Sequence, residues 1–232
     1  ERVIYNGLPW LVENISFYST LTNHALVGGQ IRLPIDDLSE LRSRPHDEAE
    51  PWFPTQTGDV VLLPDGRPAK VEFQSIEGVR LRSPGGNLTI MPAAEFAGQG
   101  VERLSGGYRV SISFGLDYGD QAAITTSMRE TMERGVEARW RESRWGDCLI
   151  DTSVEFETAG ASSLDYFVRV DLDGSKAIDL QAQRRMLARF CVDICNENGW
   201  VIPFTQLTLH VAPNATGADG TPLDSNDEAK TS

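Results

Sequence analysis

Long apolar runs, basic charge and cysteine are all scarce in this 232-residue sequence. A helix needs roughly 20 consecutive apolar residues to cross a bilayer. No stretch here approaches that, so the chain is not expected to cross a membrane by itself. Lysine and arginine number 21 against 34 aspartates and glutamates, a net charge of -13. Nucleic-acid binding requires basic surface that displaces counterions from phosphate, so the balance argues against it. An acidic, hydrated surface is the plain reading of that charge, and an acidic surface around an aqueous route for cations is the sharper one. Cysteine occurs three times, as Cys148, Cys191 and Cys195. An odd, sparse set with no secretory signal before it does not make a disulfide framework and favours a reducing compartment.

Chemistry-bearing motifs are missing too. There is no phosphate-binding glycine loop, no nucleophile elbow and no metal signature. Cys191 and Cys195 share a helix face at a spacing of four, but no third ligand follows in sequence, so they read as buried, inert thiols. His46, beside Asp47 and Glu48, sits among prolines and reads as solvated. The expectation is a chain that is not an enzyme, with no catalytic residues, no cofactor and no metal.

The sequence does contain an internal echo. Gly7-Leu8-Pro9-Trp10-Leu11-Val12-Glu13 returns as Gly66-Arg67-Pro68-Ala69-Lys70-Val71-Glu72. Gly28-Gly29-Gln30-Ile31-Arg32-Leu33-Pro34 returns as Gly85-Gly86-Asn87-Leu88-Thr89-Ile90-Met91-Pro92. Short β-branched runs punctuated by glycine predict small antiparallel barrels or sandwiches. Residues 1–41 and 58–105 are therefore expected to be two copies of one β-domain. Residues 42–57, with Pro45, Pro51, Pro54 and the run Asp47-Glu48-Ala49-Glu50, read as an acidic linker whose charges stay hydrated. The opening Glu1-Arg2-Val3-Ile4-Tyr5 reads as the middle of a strand, with further chain expected before it.

From Gly107 the texture changes. Tyr108, Val110, Ile112, Phe114 and Leu116 alternate with small or polar residues, the period of a half-buried strand. Asp120 is a helix-capping residue by type. Ile124, Met128, Met132, Val136 and Trp140 then recur every fourth residue as one apolar helix stripe. Strands are predicted around residues 153–157 and along Leu164, Tyr166, Val168, Val170 and Leu172. A second helix over about 178–196 buries Leu187, Phe190, Cys191 and Ile194 and stops at Gly199. The order βαββα makes residues 106–202 most of a ferredoxin-like unit. A last strand occupies 203–212, where Gln206, Leu207, Thr208, Leu209, His210 and Val211 alternate after Pro203. Residues 213–232 are small, polar and acidic, and are expected to be disordered.

These segments resemble a known family. Glu1-Arg2-Val3 and Val12-Glu13-Asn14-Ile15-Ser16-Phe17-Tyr18-Ser19-Thr20 resemble the β-domain motif of the small-conductance mechanosensitive channels. Ile31-Arg32-Leu33-Pro34 resembles the run that closes that domain. Gly160-Ala161-Ser162-Ser163 with Phe167-Val168-Arg169-Val170 resembles the family's C-terminal α/β domain, and Gly199 through Val211 resembles its final strand. The matches fall in the family's order over nearly all of residues 1–212. There are three departures: Ile35 and Ala93 stand where the family usually has asparagine, Thr205 stands where it has proline, and its single β-domain is present twice.

The resemblance implies an α+β chain: two tandem small Sm-like β-domains, a ferredoxin-like α/β domain and a C-terminal oligomerisation strand at Gln206 to Val211. It implies a homo-oligomer, typically a heptamer, enclosing a water-filled vestibule beneath a pore. The pore would open under membrane tension to release ions and small osmolytes. The membrane is reached through N-terminal helices outside this sequence, in a cell inner membrane with this region facing the cytoplasm. Two other readings stand beside it. One is a ligand-sensing regulatory module in which the extra β copy binds a small solute. The other is an RNA-binding protein, which the charge and the lack of a basic aromatic strand oppose.

Overall fold

A computed structural model describes residues 1–117, 127–160 and 163–203. The described residues are mixed α/β and mostly sheet, with their strands in three sheets. The first is built from β1 (Arg2–Tyr5), β2 (Leu8–Ile15), β3 (Tyr18–Thr22), β4 (Gln30–Pro34) and β5 (Ser43–Arg44), with the short helix α1 (Ile35–Ser39) between the last two. The second is built from β6 (Val60–Leu62), β7 (Pro68–Gln74), β8 (Gly78–Arg82), β9 (Leu88–Pro92) and β10 (Glu102–Arg103), with α2 (Ala93–Gly98) in the same place.

Both sheets are antiparallel and share one strand order, β4-β3-β2-β1-β5 in the first and β9-β8-β7-β6-β10 in the second. The agreement reaches irregularities. The β2/β3 ladder slips between Val12 and Asn14, which makes Glu13 the bulged residue. The β7/β8 ladder slips between Val71 and Phe73, which puts Glu72 at the matching point. A bulge sharpens local twist, so both sheets curl at the same place. Pro34 and Pro92 each end the fourth strand and stand at the N-cap of the helix that follows. Proline lacks the N–H that a ladder or a helix interior needs, and here neither demands one. The first hairpin turns on Asn6 and Gly7, both with positive φ (50° and 74°), as a two-residue loop between paired Tyr5 and Leu8 requires.

Residues 42–57 differ from the linker expected of them. Ser43 and Arg44 complete the first sheet by pairing with Val3 and Arg2, so the sheet runs past residue 41. Further on, Phe53 and Thr55 are buried, and Phe53 stacks on Phe96 of α2 at 5.9 Å between ring centroids. The reason is apolar content: Trp52 and Phe53 carry more transferable surface than the flanking charges can hold in water. The segment is a strap folded back across both sheets.

Those two sheets share a single core. Val3, Trp10 and Leu21 from the first pack in one cluster with Val61, Val71, Leu81 and Phe96 from the second. Chains of some 50 residues bury too little surface for secure independent stability, so a shared core is the economical solution. Polar bonds add direction. Buried Gln74 donates to the carbonyls of Ala25 (2.7 Å) and Thr55 (2.9 Å) and accepts from the Thr55 hydroxyl at 3.0 Å. Its backbone carbonyl accepts from the Val27 N–H at 3.0 Å. Asn23, also buried, donates to Pro9 and Trp52 carbonyls at 2.9 and 3.0 Å.

The third sheet is β11 (Tyr108–Leu116), β13 (Leu164–Leu172) and β12 (Leu149–Ala159) in that spatial order, all neighbours antiparallel. Strand β13 alternates strictly. Leu164, Tyr166, Val168, Val170 and Leu172 are buried under α3 (Arg129–Glu142) and α4 (Leu180–Asn198). Met132, Val136 and Trp140 form the inner stripe of α3; Leu187, Phe190, Cys191 and Ile194 form that of α4. Asp120 and Ile124 lie outside the described residues. Gly199 ends α4 in the left-handed region (φ 70°), and Trp200 N–H returns to the Cys195 carbonyl at 2.9 Å. Inside this core the Tyr108 hydroxyl donates to Gln183 at 2.7 Å. Val60 of the second sheet also packs here, and its N–H donates to the Ser105 hydroxyl at 2.7 Å.

Gln74→Leu removes three side-chain hydrogen bonds and leaves the Ala25 and Thr55 carbonyls without that partner. We predict a loss of about 2–4 kcal/mol in a urea unfolding titration. A loss below ~0.5 kcal/mol would show that the strap and the sheets are held by apolar packing alone.

Candidate functional site

The described residues hold no group of three or more His, Cys, Asp or Glu side chains that could ligate a metal. Cys148, Cys191 and Cys195 are free and buried. Burial raises all three thiols, Cys191 to about 12, with the nearby Cys195 adding to it, and Cys195 to about 11. A thiol so placed holds its proton at neutral pH. The surfaces where the units meet each other and solvent are therefore the places to look for function.

One lies under the strap. Arg2, buried on β1, donates to the Pro51 carbonyl at 3.1 Å, sits 3.4 Å from the Glu50 carboxylate and lies 4.8 Å from the centre of the Trp52 ring. Arg44 from β5 holds the same carboxylate at 2.6 Å. That bond is the main reason the Glu50 carboxyl is held below the usual range, with the Arg2 and Arg44 charges adding to it. Burial lowers the Arg2 guanidinium, and Glu50 opposes the shift. His46, expected to be solvated, is half-buried and stacked on Trp52 at 4.1 Å between ring centroids. Charges expected to face water are thus partly spent on fastening the strap. The sequence signal for this was the Trp52-Phe53 pair inside the proline-rich stretch.

Two clefts separate the second sheet from the α/β unit. One, of about 570 Å³, is lined by Asp59, Lys70, Ser105, Asp173 and Ser175 among others. The other, of about 450 Å³, has Leu62, Val110 and Leu180 beside Arg109, Gln181 and Arg184. Gln181 reaches across to the Gly66 carbonyl at 2.9 Å. Both clefts are open to solvent, and in the first the Asp173 carboxylate is bonded by Ser175.

A third surface is the open face of the β11-β13-β12 sheet, opposite its helices. Arg109 grips Asp171 through two nitrogens at 2.6 and 3.0 Å. Arg169 stands between Asp171 (3.2 Å), Asp151 (3.8 Å) and Glu155 (3.9 Å). Antiparallel sheets commonly leave one face in water, and this one is covered by charge. The hydrogen bond from Arg109 is the chief cause of the lowered Asp171 carboxyl; burial opposes it. The strand residues Gln206, Leu207, Thr208, Leu209, His210 and Val211 lie outside the described residues.

With that geometry in view, no family model and no curated protein sequence matches the chain. Solved structures do. Helicobacter pylori MscS, crystallised in its closed state, superposes with a TM-score of 0.51 at 21% identity, over 68% of this chain and 60% of that one. The chain has an MscS-type fold. Arabidopsis thaliana MSL1, solved by cryo-EM, gives a TM-score of 0.44 at 12% identity, over 66% of this chain and 54% of that one. The chain spans somewhat over half the length of these proteins. No described helix is long and apolar enough to cross a membrane.

The charged sheet face makes a titration prediction. Asp171 has a depressed carboxyl, so its contribution to stability is full above the unfolded value of about 3.9 and is lost as pH falls through the folded one. Asp171→Asn should lower the thermal midpoint at pH 7, and the gap to the natural protein should close in acid, once Asp171 is protonated in the folded state as well. An equal gap at both pH values would contradict the ion-pair account.

Proposed function

We propose that residues 1–232 form the vestibule region of a small-conductance mechanosensitive channel, a non-enzymatic part of a protein that opens under membrane tension and releases ions and small osmolytes. The likeness of fold to Helicobacter MscS is the observation that carries this reading. The membrane-crossing helices belong to a segment before Glu1, in a cell inner membrane, with this region in the cytoplasm. Subunits assemble as a homo-oligomeric ring, a heptamer in the complete protein, and residues 206–211 supply a tie between neighbours. In a ring the hydrated, charged face of β11-β13-β12 has a natural place beside aqueous solution.

In this reading the two five-stranded sheets are Sm-like domains, two copies of one module. Their common strand order and the matching bulges at Glu13 and Glu72 support duplication. The β11-β13-β12 unit with α3 and α4 is a ferredoxin-like domain lacking its fourth strand among the described residues. Duplication lengthens the vestibule wall between membrane and α/β domain; it adds no second pore.

The open cleft holding Asp59, Lys70 and Asp173 is the one observation in favour of a second reading, in which the added module senses a small polar solute and biases gating. The net charge of -13 disfavours a nucleic-acid ligand.

Patch-clamp recording on membranes containing the full-length protein tests the channel reading. A conductance that appears with suction and vanishes when suction is released is expected. Its absence at tensions up to membrane rupture would overturn the proposal.

A further inference from the structure

Arg2 and Arg44 stand directly opposite each other on the neighbouring strands β1 and β5. Like charges at opposed cross-strand positions repel, so the pair needs an anion beside it. Nothing in the module's fold requires them. Arg2 pairs with Leu11 and Val60 pairs with Lys70, and each partner lies two residues before the bulge at Glu13 or Glu72. The second copy therefore places Val60, buried and apolar, where the first places Arg2. It closes the same sheet with no charge at that point. The two arginines serve something that only the first copy has, and the strap brings them one carboxylate, that of Glu50.

That carboxylate leaves donors unused. Seven buried side-chain nitrogen or oxygen atoms among the described residues lack a hydrogen-bond partner, and three of them gather around Trp52: Arg2 Nε, Arg2 Nη1 and His46 Nδ1. Arg2 is 6% exposed, and only its Nη2 has polar partners, the Pro51 carbonyl at 3.1 Å and Glu50 at 3.4 Å. Buried donors without acceptors are costly. A phosphate group presents more acceptor oxygens than a carboxylate and matches the planar guanidinium fork bidentately. Solvent reaches the site at Glu50, whose side chain is 32% exposed, and at Arg44, 53% exposed. We propose that Arg2 and Arg44 form a site for the phosphate group of a small anion or a lipid headgroup, with Glu50 as its resident competitor. Phosphate takes the place of the Glu50 carboxylate between the two guanidinium groups. Its entry releases the Glu50 end of the strap, while buried Phe53 and Thr55 hold the other end.

The test titrates the 232-residue chain with inorganic phosphate by calorimetry, the ionic strength held constant with chloride. Glu50→Gln removes the competing charge at a partly exposed site. It should tighten phosphate binding about tenfold, the equivalent of one charge-assisted hydrogen bond. Arg44→Gln should weaken binding by about the same factor. The Arg2 and Arg44 Nε–H resonances should shift together as phosphate is added to the natural chain or to Glu50→Gln. Thermal midpoints in chloride establish that each variant is folded. Vesicles of phosphatidylcholine with and without phosphatidic acid separate the two sources. Retention of Glu50→Gln only on those with phosphatidic acid, lost when Arg44→Gln is added, assigns the site to a lipid headgroup. Phosphate binding without such retention assigns it to a free anion. Equal phosphate affinity in all three chains with both resonances unmoved overturns the proposal, and so does the absence of binding in every chain. Weaker binding by Glu50→Gln than by the natural chain overturns it as well.

Discussion

The buried carboxamide of Gln74 joins three segments distant in sequence: the turn after β3, the strap and the end of β7. A primary amide can serve all three because it has two donor hydrogens and an acceptor oxygen. Once it is buried, each of those bonds is costly to leave unmade, so the segments must arrive together. The strap is therefore obliged to fold back, despite prolines and acids that favour solvent. Asn23 repeats the device one turn away, holding the Pro9 and Trp52 carbonyls. Around these amides the two sheets fuse into one apolar body, which neither copy has the size to form securely alone.

A duplicated module has twice the edges of a single one, and the chain treats the two copies differently. Inward positions stay apolar in both, with Val12 and Leu21 matched by Val71 and Leu81 in the ladders beside the bulges. Outward positions diverge: Arg32 is replaced by Ile90. Packing constrains the first set and solvent leaves the second free. The second module also faces the α/β unit, into whose core Val60 reaches. It sits between two bodies as a spacer whose ends are both fixed.

Much of this was legible in the sequence. Strict alternation from Leu164 to Leu172, the fourfold stripe through Met132, Val136 and Trp140, and the Gly199 stop of α4 all follow from backbone periodicity and handedness. The echo of Gly-x-Pro-x-x-Val-Glu marked two stretches whose sheets have one strand order. Less legible was anything set by long-range burial. Residues 42–57 looked solvated because proline and carboxylate dominate them, yet Phe53 and Thr55 are buried and Glu50 is pinned by Arg2 and Arg44. A two-residue strand such as β5 has no period to read. No pattern marks Gln74 as the joint, because its role exists only when Ala25 and Thr55 are beside it. The alternating stretch 206–211 lies outside the described residues, so that part of the candidate site rests on alternation and family resemblance.

The central claim is that both β sheets and the strap open and close as one body. Native-state hydrogen exchange tests it directly. The slowest amides of β2 and β3 and those of β7 and β8 should show the same opening free energy, and should fall together as urea is added. Two separate groups of amides, with different free energies and different urea slopes, would mean two independent domains on a flexible tether and would contradict the account.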